Sequence, residues 1–228
     1  MKKNLLLLFV LICALSNIFS LSCCAKNPEE ETLISQSYPI FLPDEMKVLP
    51  LSKEYFSLRL QIPQKDLLAV TIISLPKPES GSLMLDGVPV ELYDTILAKD
   101  LDRLCYTSKK DKGWFSVIPV CRKNPFAQDT KICATFSINK RKEDFPIIKE
   151  AVCVTQPETG IRAALEQESN LVYTVVKKPL KGTADCFAGG CTYTPDKGVQ
   201  GQDLFSLAAM HKDGRVSSPI QIKTVIEK

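Results

Sequence analysis

The chain has 228 residues and a formal net charge of +3, from 29 lysines and arginines against 26 aspartates and glutamates. Removal of Lys2 and Lys3 with an N-terminal export signal would leave 27 basic residues, so the charge is nearly balanced. Such a balance argues against a nucleic-acid-binding or polybasic membrane surface, both of which need clustered basic residues. The length fits one large domain or two small ones.

The first 22 residues have the pattern of a secretory signal peptide. They begin with two lysines, continue with an apolar run over residues 5–15, and end with the small residues Ser20 and Ser22. Positive start, apolar run and small-residue exit together predict a signal peptide over residues 1–22. The alternative is a membrane anchor, but the run is shorter than the roughly 17–25 apolar residues of a spanning helix.

The residues around Cys23 indicate a lipid modification after export. Ser20-Leu21-Ser22-Cys23 resembles the bacterial lipobox, although its leucine lies two residues before the cysteine instead of three. The resemblance implies that Cys23 is lipidated and tethers the protein to the membrane. We therefore expect a location in the bacterial envelope, at the outer membrane or cell surface. The alternative is cleavage without lipid. Residues 23–37 are polar and acidic, and they predict a flexible leader.

An even number of cysteines lies beyond the leader. In an exported protein this predicts disulfide bonds, and six cysteines allow 15 connectivities. Cys186 and Cys191 enclose a turn-forming tetrapeptide, so a local bridge is attractive, and Cys121 and Cys133 are candidates to span the loop between them. The disulfide candidates are Cys105, Cys121, Cys133, Cys153, Cys186 and Cys191.

The rest of the chain is dominated by short strand-like runs separated by turn signals. Asp86-Gly87 and Asp213-Gly214 are strong hairpin signals, and residues 95–104 are the main helical candidate. Many short strands with regular turns predict a β-sandwich. The strand-like runs are residues 67–75, 82–85, 88–90, 115–120, 132–138, 171–176, 204–210 and 220–226.

The chain also repeats itself. Residues 68–76 align with residues 171–179, and the segments around Gly81, Tyr106 and Phe115 align with those around Gly182, Tyr193 and Phe205. The first copy has a longer middle segment, residues 90–104. Two tandem domains are therefore predicted, at residues 38–140 and 145–228, with the junction at Phe145-Pro146.

The order of motifs in the second copy resembles the bacterial cadherin-like or immunoglobulin-like tandem repeat. Its segments are Leu171-Val172-Tyr173-Thr174-Val175-Val176, Pro179-Leu180-Lys181-Gly182-Thr183, Tyr193-Thr194-Pro195-Asp196 and Gly201-Gln202-Asp203-Leu204-Phe205-Ser206. The resemblance implies an all-β fold of two seven-stranded sandwiches that serve as spacer or adhesive modules. We expect Tyr193 to bury its ring while its hydroxyl reaches the backbone, and the alternating Phe205, Leu207 and Ala209 to face the core.

Members of that family often carry an aspartate-rich calcium segment before the strand that begins here at Leu171. This chain has Glu166, Glu168 and Asn170 at that place, and calcium prefers several converging oxygen ligands. Because the glutamate side chains are longer than the aspartates of the family pattern, we expect no metal or other cofactor. Calcium at these three residues is the alternative.

Signals for enzymatic chemistry are sparse. His211 is the single histidine, it lies beside the Asp213-Gly214 turn where we expect exposure, and no catalytic motif occurs. The sequence therefore predicts a non-catalytic envelope lipoprotein that acts in adhesion, in interaction or as a spacer, with a protein or glycan partner at the cell surface. One alternative is a carbohydrate-binding lipoprotein, which requires Trp114 and some tyrosines exposed on one face. Another is an enzyme whose acids converge in a cleft around Asp100.

Overall fold

The structure is a computed structural model that describes residues 32–126, 130–141, 150–165, 170–187 and 189–227. The predicted signal peptide, Cys23 and the predicted junction at Phe145-Pro146 lie outside these residues. Within them, no helix is long and apolar enough to cross a membrane.

The described residues of the first half form nine strands and two short helices. In order they are β1 (Thr32–Pro43), β2 (Val48–Pro50), α1 (Lys53–Leu60), β3 (Leu67–Ser74), β4 (Gly81–Leu85), β5 (Val88–Pro89), β6 (Thr95–Leu97), a 3-10 helix (Ala98–Arg103), β7 (Leu104–Ser108), β8 (Lys112–Cys121) and β9 (Thr130–Arg141). One sheet has the order β1-β9-β8-β3-β6 and the facing sheet has the order β2-β7-β4-β5. We call this pair of sheets the first sandwich.

The second half consists of seven described strands. They are β10 (Glu150–Thr155), β11 (Ile161–Ala164), β12 (Leu171–Lys177), β13 (Gly182–Phe187), β14 (Gly190–Pro195), β15 (Gly201–His211) and β16 (Ile220–Ile226). They form two sheets with the orders β10-β16-β15-β12 and β11-β14-β13. We call this pair the second sandwich.

The two sandwiches share one strand order. In each, the first strand lies parallel to the last, β1 with β9 and β10 with β16, and the other pairs are antiparallel. The extra strand β6 and the 3-10 helix lie in the longer middle segment of the first copy, and the extra strand β5 directly precedes that segment. The fold is all-β with two tandem immunoglobulin-like sandwiches, as predicted.

Two local predictions need correction. The leader was predicted to run to residue 37, yet β1 begins at Thr32, because its pairing with β9 starts at Thr32 opposite Thr130 and supplies hydrogen-bond partners to the backbone. Helix α1 was not predicted. Its residues are buried on several sides, so they lack the one-sided pattern of a surface helix. The helix begins after Ser52, whose side chain accepts a hydrogen bond from the amide of Tyr55. Serine is a preferred N-cap residue, so the sequence did contain a signal for the start of this helix.

The predicted Asp86-Gly87 hairpin is confirmed. Asp86 and Gly87 have φ values of 52° and 80°, and Leu85 pairs with Val88 across the turn. Two consecutive positive φ values define the type I′ turn that two-residue hairpins favour. The Asp213-Gly214 turn also forms, and it joins β15 to a short return segment in which Val216 bridges to Met210.

The predicted core residues are buried in both sandwiches. Phe205, Leu207 and Ala209 are fully buried, and so are Phe115 and Val117. Each sandwich has a stacked aromatic pair at equivalent positions. The ring centroids of Tyr193 and Phe205 are 5.4 Å apart, and those of Tyr106 and Phe115 are 6.1 Å apart. The structure thus confirms the repeat at the level of individual core contacts.

A glycine in each copy permits the same close approach between strands. A Cβ atom on Gly81 would lie 2.5 Å from the carbonyl oxygen of Thr107, and one on Gly182 would lie 2.3 Å from that of Thr194. Neither distance is compatible with a side chain, so both positions require glycine. This close backbone approach is the role of both glycines.

The core of the first sandwich continues into the second. Ala208 and Met210 alternate with the inward residues of β15, and they pack with Val216 into the buried cluster of the first sandwich. Both faces of β15 are therefore covered from Phe205 to Met210, one by its own sandwich and one by its neighbour. Consequently the two sandwiches are joined by apolar packing as well as by the chain.

Candidate functional site

A buried arginine holds the junction between the sandwiches. Arg59 of α1 is only 6% exposed, and it donates hydrogen bonds to the carbonyl oxygens of Pro39, at 2.6 Å, and of Lys212. Its guanidinium carbon also lies 5.7 Å from the centre of the Tyr38 ring. One side chain therefore links α1 and β1 of the first sandwich to the β15 turn of the second.

The backbone of that turn approaches β1 directly. The amide of Phe41 donates to the carbonyl of Gly214 at 2.8 Å, and the amide of Val216 donates to the carbonyl of Phe41 at 3.0 Å. Gly214 has a φ of 99°, and a Cβ atom there would lie 1.9 Å from the carbonyl oxygen of Pro39. This contact is possible only with glycine.

The prediction that His211 is exposed is wrong. Its side chain is 12% exposed, and its Nδ1 lies 2.9 Å from Oδ1 of Asp213. The other carboxylate oxygen, Oδ2, pairs with Nε of Arg215 at 2.7 Å. Burial raises the pKa of Asp213, but hydrogen bonds from the Arg215 amide and from the His211 and Arg215 side chains outweigh it and lower the pKa. His211 therefore stabilises the turn that meets the first sandwich.

A cleft of about 380 Å³ lies between the sandwiches. Its charged lining comprises Glu54, Asp102, Asp185, Arg103 and Lys178. Asp102 accepts a hydrogen bond from the amide of Lys53 at 3.3 Å. Among the described residues, no group of three histidine, cysteine or acidic side chains is placed to hold a metal ion. The cleft has mixed charge and brings both sandwiches to one surface.

Asp100 does not line this cleft. Its carboxylate binds the guanidinium of Arg103, three residues later, and the same guanidinium binds Asp86. The enzyme alternative predicted that acids converge in a cleft around Asp100. The acid of this segment that lines the cleft is Asp102 instead.

The six described cysteines are free thiols in the structure. Cys186 and Cys191 nevertheless lie directly opposite each other in the β13–β14 ladder, and both side chains pack on the core of the second sandwich. Cys153 packs on the same core from β10. Burial raises the pKa of all three thiols, that of Cys191 to about 12. The second sandwich thus gathers its three cysteines in one core.

The cysteines of the first sandwich are dispersed. Cys121 packs against the core, whereas Cys133 alternates with the buried Ile132 and Ala134 and so faces outward. The expected Cys121–Cys133 bridge is therefore not formed, because the two side chains lie on opposite faces of their sheet. Cys105 likewise alternates with buried neighbours on β7 and faces away from the core.

Trp114 lies on the outer face of the large sheet and is 44% exposed. Its neighbours Gly113 and Phe115 are buried, so the alternation of β8 turns the indole outward. Opposite Trp114 is Ser137 of β9, and opposite Ser137 is Pro39 of β1. The carbohydrate-binding alternative required exposure of Trp114 and of some tyrosines on one face. Trp114 meets this condition, whereas Tyr55, Tyr106, Tyr173 and Tyr193 are buried.

The calcium candidates are only partly described. Glu166 and Glu168 lie outside the described residues. The backbone carbonyl of Asn170 accepts a hydrogen bond from the amide of Lys212 at 2.9 Å, so this carbonyl takes part in the end of the β12–β15 ladder.

The functional residues that the sequence missed are those of the junction. Arg59 belongs to a helix that was not predicted, and Gly214 was identified only as a turn residue. The sequence did contain one signal for this helix. Ser52 is a preferred residue before a helix and Pro63 is a typical residue after one, and together they bracket a short segment.

Strand order and core contacts define the class: an all-β protein built from two immunoglobulin-like sandwiches in tandem. No known protein family matches the chain, and no curated protein matches it.

Solved structures show only distant similarity. An endo-fucoidan hydrolase of glycoside hydrolase family 107 is 13% identical, with a TM-score of 0.29, over 86% of this chain and 28% of its own. Drosophila N-cadherin EC1-4 is 12% identical, with a TM-score of 0.27, over 86% and 50%. Bacteroides ovatus SGBP-B is 10% identical, with a TM-score of 0.21, over 65% and 38%. At these scores the similarities assign neither a family nor a ligand.

Proposed function

We propose that the protein is a non-catalytic binding module of the bacterial envelope, in which the two sandwiches act as one rigid unit. The observation that carries this proposal is the continuous core across the junction, formed by Ala208, Met210 and Val216 with the first sandwich. Tandem domains joined only by a linker reorient freely. A shared apolar core keeps the binding surfaces of both sandwiches in one orientation.

The polar contacts of the junction support the same conclusion. Arg59 is bound to carbonyls on both sides, and the Gly214 turn exchanges backbone hydrogen bonds with Phe41. Burial of a charge costs free energy, and the two hydrogen bonds of the Arg59 guanidinium offset part of that cost. Separation of the sandwiches would therefore cost the solvation of apolar residues and the loss of these bonds together.

Location in the envelope rests on the sequence. The signal over residues 1–22 and the lipobox-like Ser20-Leu21-Ser22-Cys23 support export and lipidation at Cys23. Intact-mass analysis of membrane-fraction protein tests this part. We expect an acylated N-terminus at Cys23, and an unmodified N-terminus would refute the lipid anchor.

A binding role is tested by attachment and turnover measurements on the full chain. Bacteria that express it should attach more strongly to surfaces coated with glycans, host matrix proteins or bacterial cells than bacteria that lack it, and the purified protein should compete. The same protein should produce no turnover with esters, peptides or glycosides. Unchanged attachment on every surface, or multiple turnover of a substrate, would refute the proposal.

A joint variant tests the rigid unit within the same assay. Gly214→Val forces a side chain against the Pro39 carbonyl, and we expect it to weaken attachment although the β-sheet circular dichroism is retained. Gly198→Val is the matched control, because Gly198 also has positive φ, at 74°, but has open space around its Cβ position.

A further inference from the structure

The outer face of the large sheet in the first sandwich carries a line of hydroxyl groups beside the indole. We call Ser37, Trp114, Ser116, Thr135 and Ser137 the hydroxyl–indole face. Ser37, Thr135 and Ser116 lie opposite one another on β1, β9 and β8, and Ser137 and Trp114 form the adjacent row. The hydroxyls of Ser116 and Thr135 are 2.8 Å apart and hydrogen-bonded.

The sheet fixes these groups in place. The four members on β8 and β9 alternate with buried residues of the same strand, such as Phe115 and Phe136, so these side chains cannot exchange sides without breaking the ladder. Ser37 is placed on the same row by its pairing with Thr135. Ser37 and Trp114 are exposed, and Thr135 and Ser137 are half-buried. Ser116 is buried, and it supports the face through its hydrogen bond with Thr135. The result is a preorganised surface with one aromatic platform and several groups that both donate and accept hydrogen bonds.

The face carries no net charge. The five members of the hydroxyl–indole face are all neutral. The charged residues that alternation places on this side of β8 and β9 are Lys112, Lys131 and Arg141, and all three lie at or next to strand ends. An anionic ligand would need cations between the hydroxyls. A purely apolar partner would leave the hydroxyls without partners, which costs free energy.

We propose that the hydroxyl–indole face binds a neutral glycan, an inference that rests on the proposed binding role and names its ligand class. A sugar ring presents C–H groups on its flat side, and these complement the electron-rich face of Trp114. Its hydroxyls both donate and accept, as the serine and threonine hydroxyls do. A linear glycan placed across β8, β9 and β1 satisfies both kinds of contact.

Trp114 is the single tryptophan of the chain, so selectively excited tryptophan fluorescence reports on this face alone. The probes are cellopentaose, maltopentaose and the pentamer of N-acetylglucosamine, titrated into the full chain, with calorimetry as a second readout. At least one probe should produce a saturable blue shift. In calorimetry Trp114→Ala should weaken that affinity about tenfold or more, and Ser137→Ala should weaken it less.

Leu204→Ala is the matched control. Leu204 occupies the equivalent outward position on β15 of the second sandwich and is 38% exposed, so its removal should leave the affinity unchanged. If Trp114→Ala does not fold, Ser137→Leu blocks the same row without removing the indole and should abolish the fluorescence response.

The outcomes separate this inference from the proposed function. Absence of binding by all three probes, or equal affinity in Trp114→Ala, overturns the glycan site. If cell attachment persists in that case and a protein partner competes for it, the binding role stands and only the ligand class fails. If attachment fails together with glycan binding, both proposals are refuted.

Discussion

The two sandwiches place an equivalent tyrosine in the core but anchor its hydroxyl differently. In the first, Tyr106 donates to the backbone carbonyl of Ser80 at 3.1 Å, and Gly113 leaves room for the ring, since a Cβ there would lie 2.1 Å from its hydroxyl. In the second, the position of Gly113 is taken by Asp203, and the Tyr193 hydroxyl donates to that carboxylate at 2.9 Å. The expectation that Tyr193 reaches the backbone is therefore wrong.

In the second sandwich, a network of hydrogen bonds to Asp203 takes the place of the single bond between Tyr106 and the Ser80 carbonyl. The buried Asp203 carboxylate also accepts hydrogen bonds from the amides of Leu180, Lys181 and Leu204, at 3.1, 2.8 and 2.9 Å. Burial raises its pKa, but these bonds and that from Tyr193 outweigh burial and lower the pKa. One topology therefore accommodates either a neutral or an ionic anchor for the tyrosine, and only the ionic anchor makes stability depend on pH.

Loss of the ionic anchor should have the largest effect. Asp203→Ala leaves four donors without their acceptor, and we expect it to destabilise the second sandwich by about 3 kcal/mol, since hydrogen bonds to charged groups contribute about 1.5–3 kcal/mol each. Urea unfolding measures it. Asp196→Ala, an exposed acid nearby, is the control. Equal unfolding midpoints for both variants would show that the network contributes little.

The junction should be the next most sensitive place. Gly214→Ala combines a φ of 99° with a contact of 1.9 Å to the Pro39 carbonyl, and we expect a cost of about 2–3 kcal/mol. Gly198→Ala, with φ of 74° and open surroundings, isolates the backbone strain and should cost about 1 kcal/mol. Thermal unfolding compares them. Equal destabilisation of the two variants would mean that the contact with the Pro39 carbonyl adds no free-energy cost.

The cysteines distinguish the sandwiches in a third way. We expect oxidised glutathione to link Cys186 to Cys191, which lie opposite on one face, and to leave Cys121 and Cys133 unlinked. Opposed residues of an antiparallel ladder have Cα separations of about 4.5–5.5 Å, which suits a disulfide. The short loop predicts a stabilisation of about 2 kcal/mol. Non-reducing peptide mapping identifies the pair, and a Cys153–Cys191 link instead would contradict this pairing.

The tyrosines themselves should differ modestly. Tyr193→Phe removes a bond to a charged acceptor and should cost about 1.5–2 kcal/mol, whereas Tyr106→Phe removes a bond to a neutral carbonyl and should cost about 1 kcal/mol. Chemical unfolding of the two variants measures the difference. The reverse order would indicate that burial of the Asp203 charge cancels the gain.

Acid should weaken the second sandwich before the first. The folded-state pKa of Asp203 is below the unfolded value of about 3.9, so its contribution is complete above that value and is lost as pH falls through the folded pKa. The expected effect is smaller than that of Asp203→Ala, because a protonated carboxyl still accepts some hydrogen bonds. Melting curves from pH 5 to pH 2 should show less acid sensitivity in Asp203→Asn than in the unchanged chain.

Patterns with a short range predicted much of the fold. The alternation of side chains along a strand identified Phe205, Leu207 and Ala209 as core residues, and turn chemistry identified Asp86-Gly87 as a hairpin. Both properties are local, so the sequence alone contains them. The internal repeat then predicted two similar sandwiches. The burial of Ala208 and Met210 was not readable, because a strand covered on both faces depends on the partner that packs against it.

The candidate sites were less predictable for the same reason. The sequence alone did not decide whether the Trp114 ring is exposed for sugar binding or packs against the protein. Only the sheet register shows which residues surround it. Cys121 and Cys133 are close in sequence, but the alternation along their strands places them on opposite faces. His211 was judged from its neighbours in sequence, whereas its burial comes from the turn around Asp213.

The parallel pairing of the first and last strands has a mechanical consequence. A pull between the start of β1 and the end of β9 draws two parallel strands in opposite directions along their length. It therefore loads the ladder between Thr32–Thr130 and Pro43–Arg141 in shear, so that its hydrogen bonds share the force. The shorter ladder between β10 and β16, with six pairs, has the same geometry and should yield first under tension.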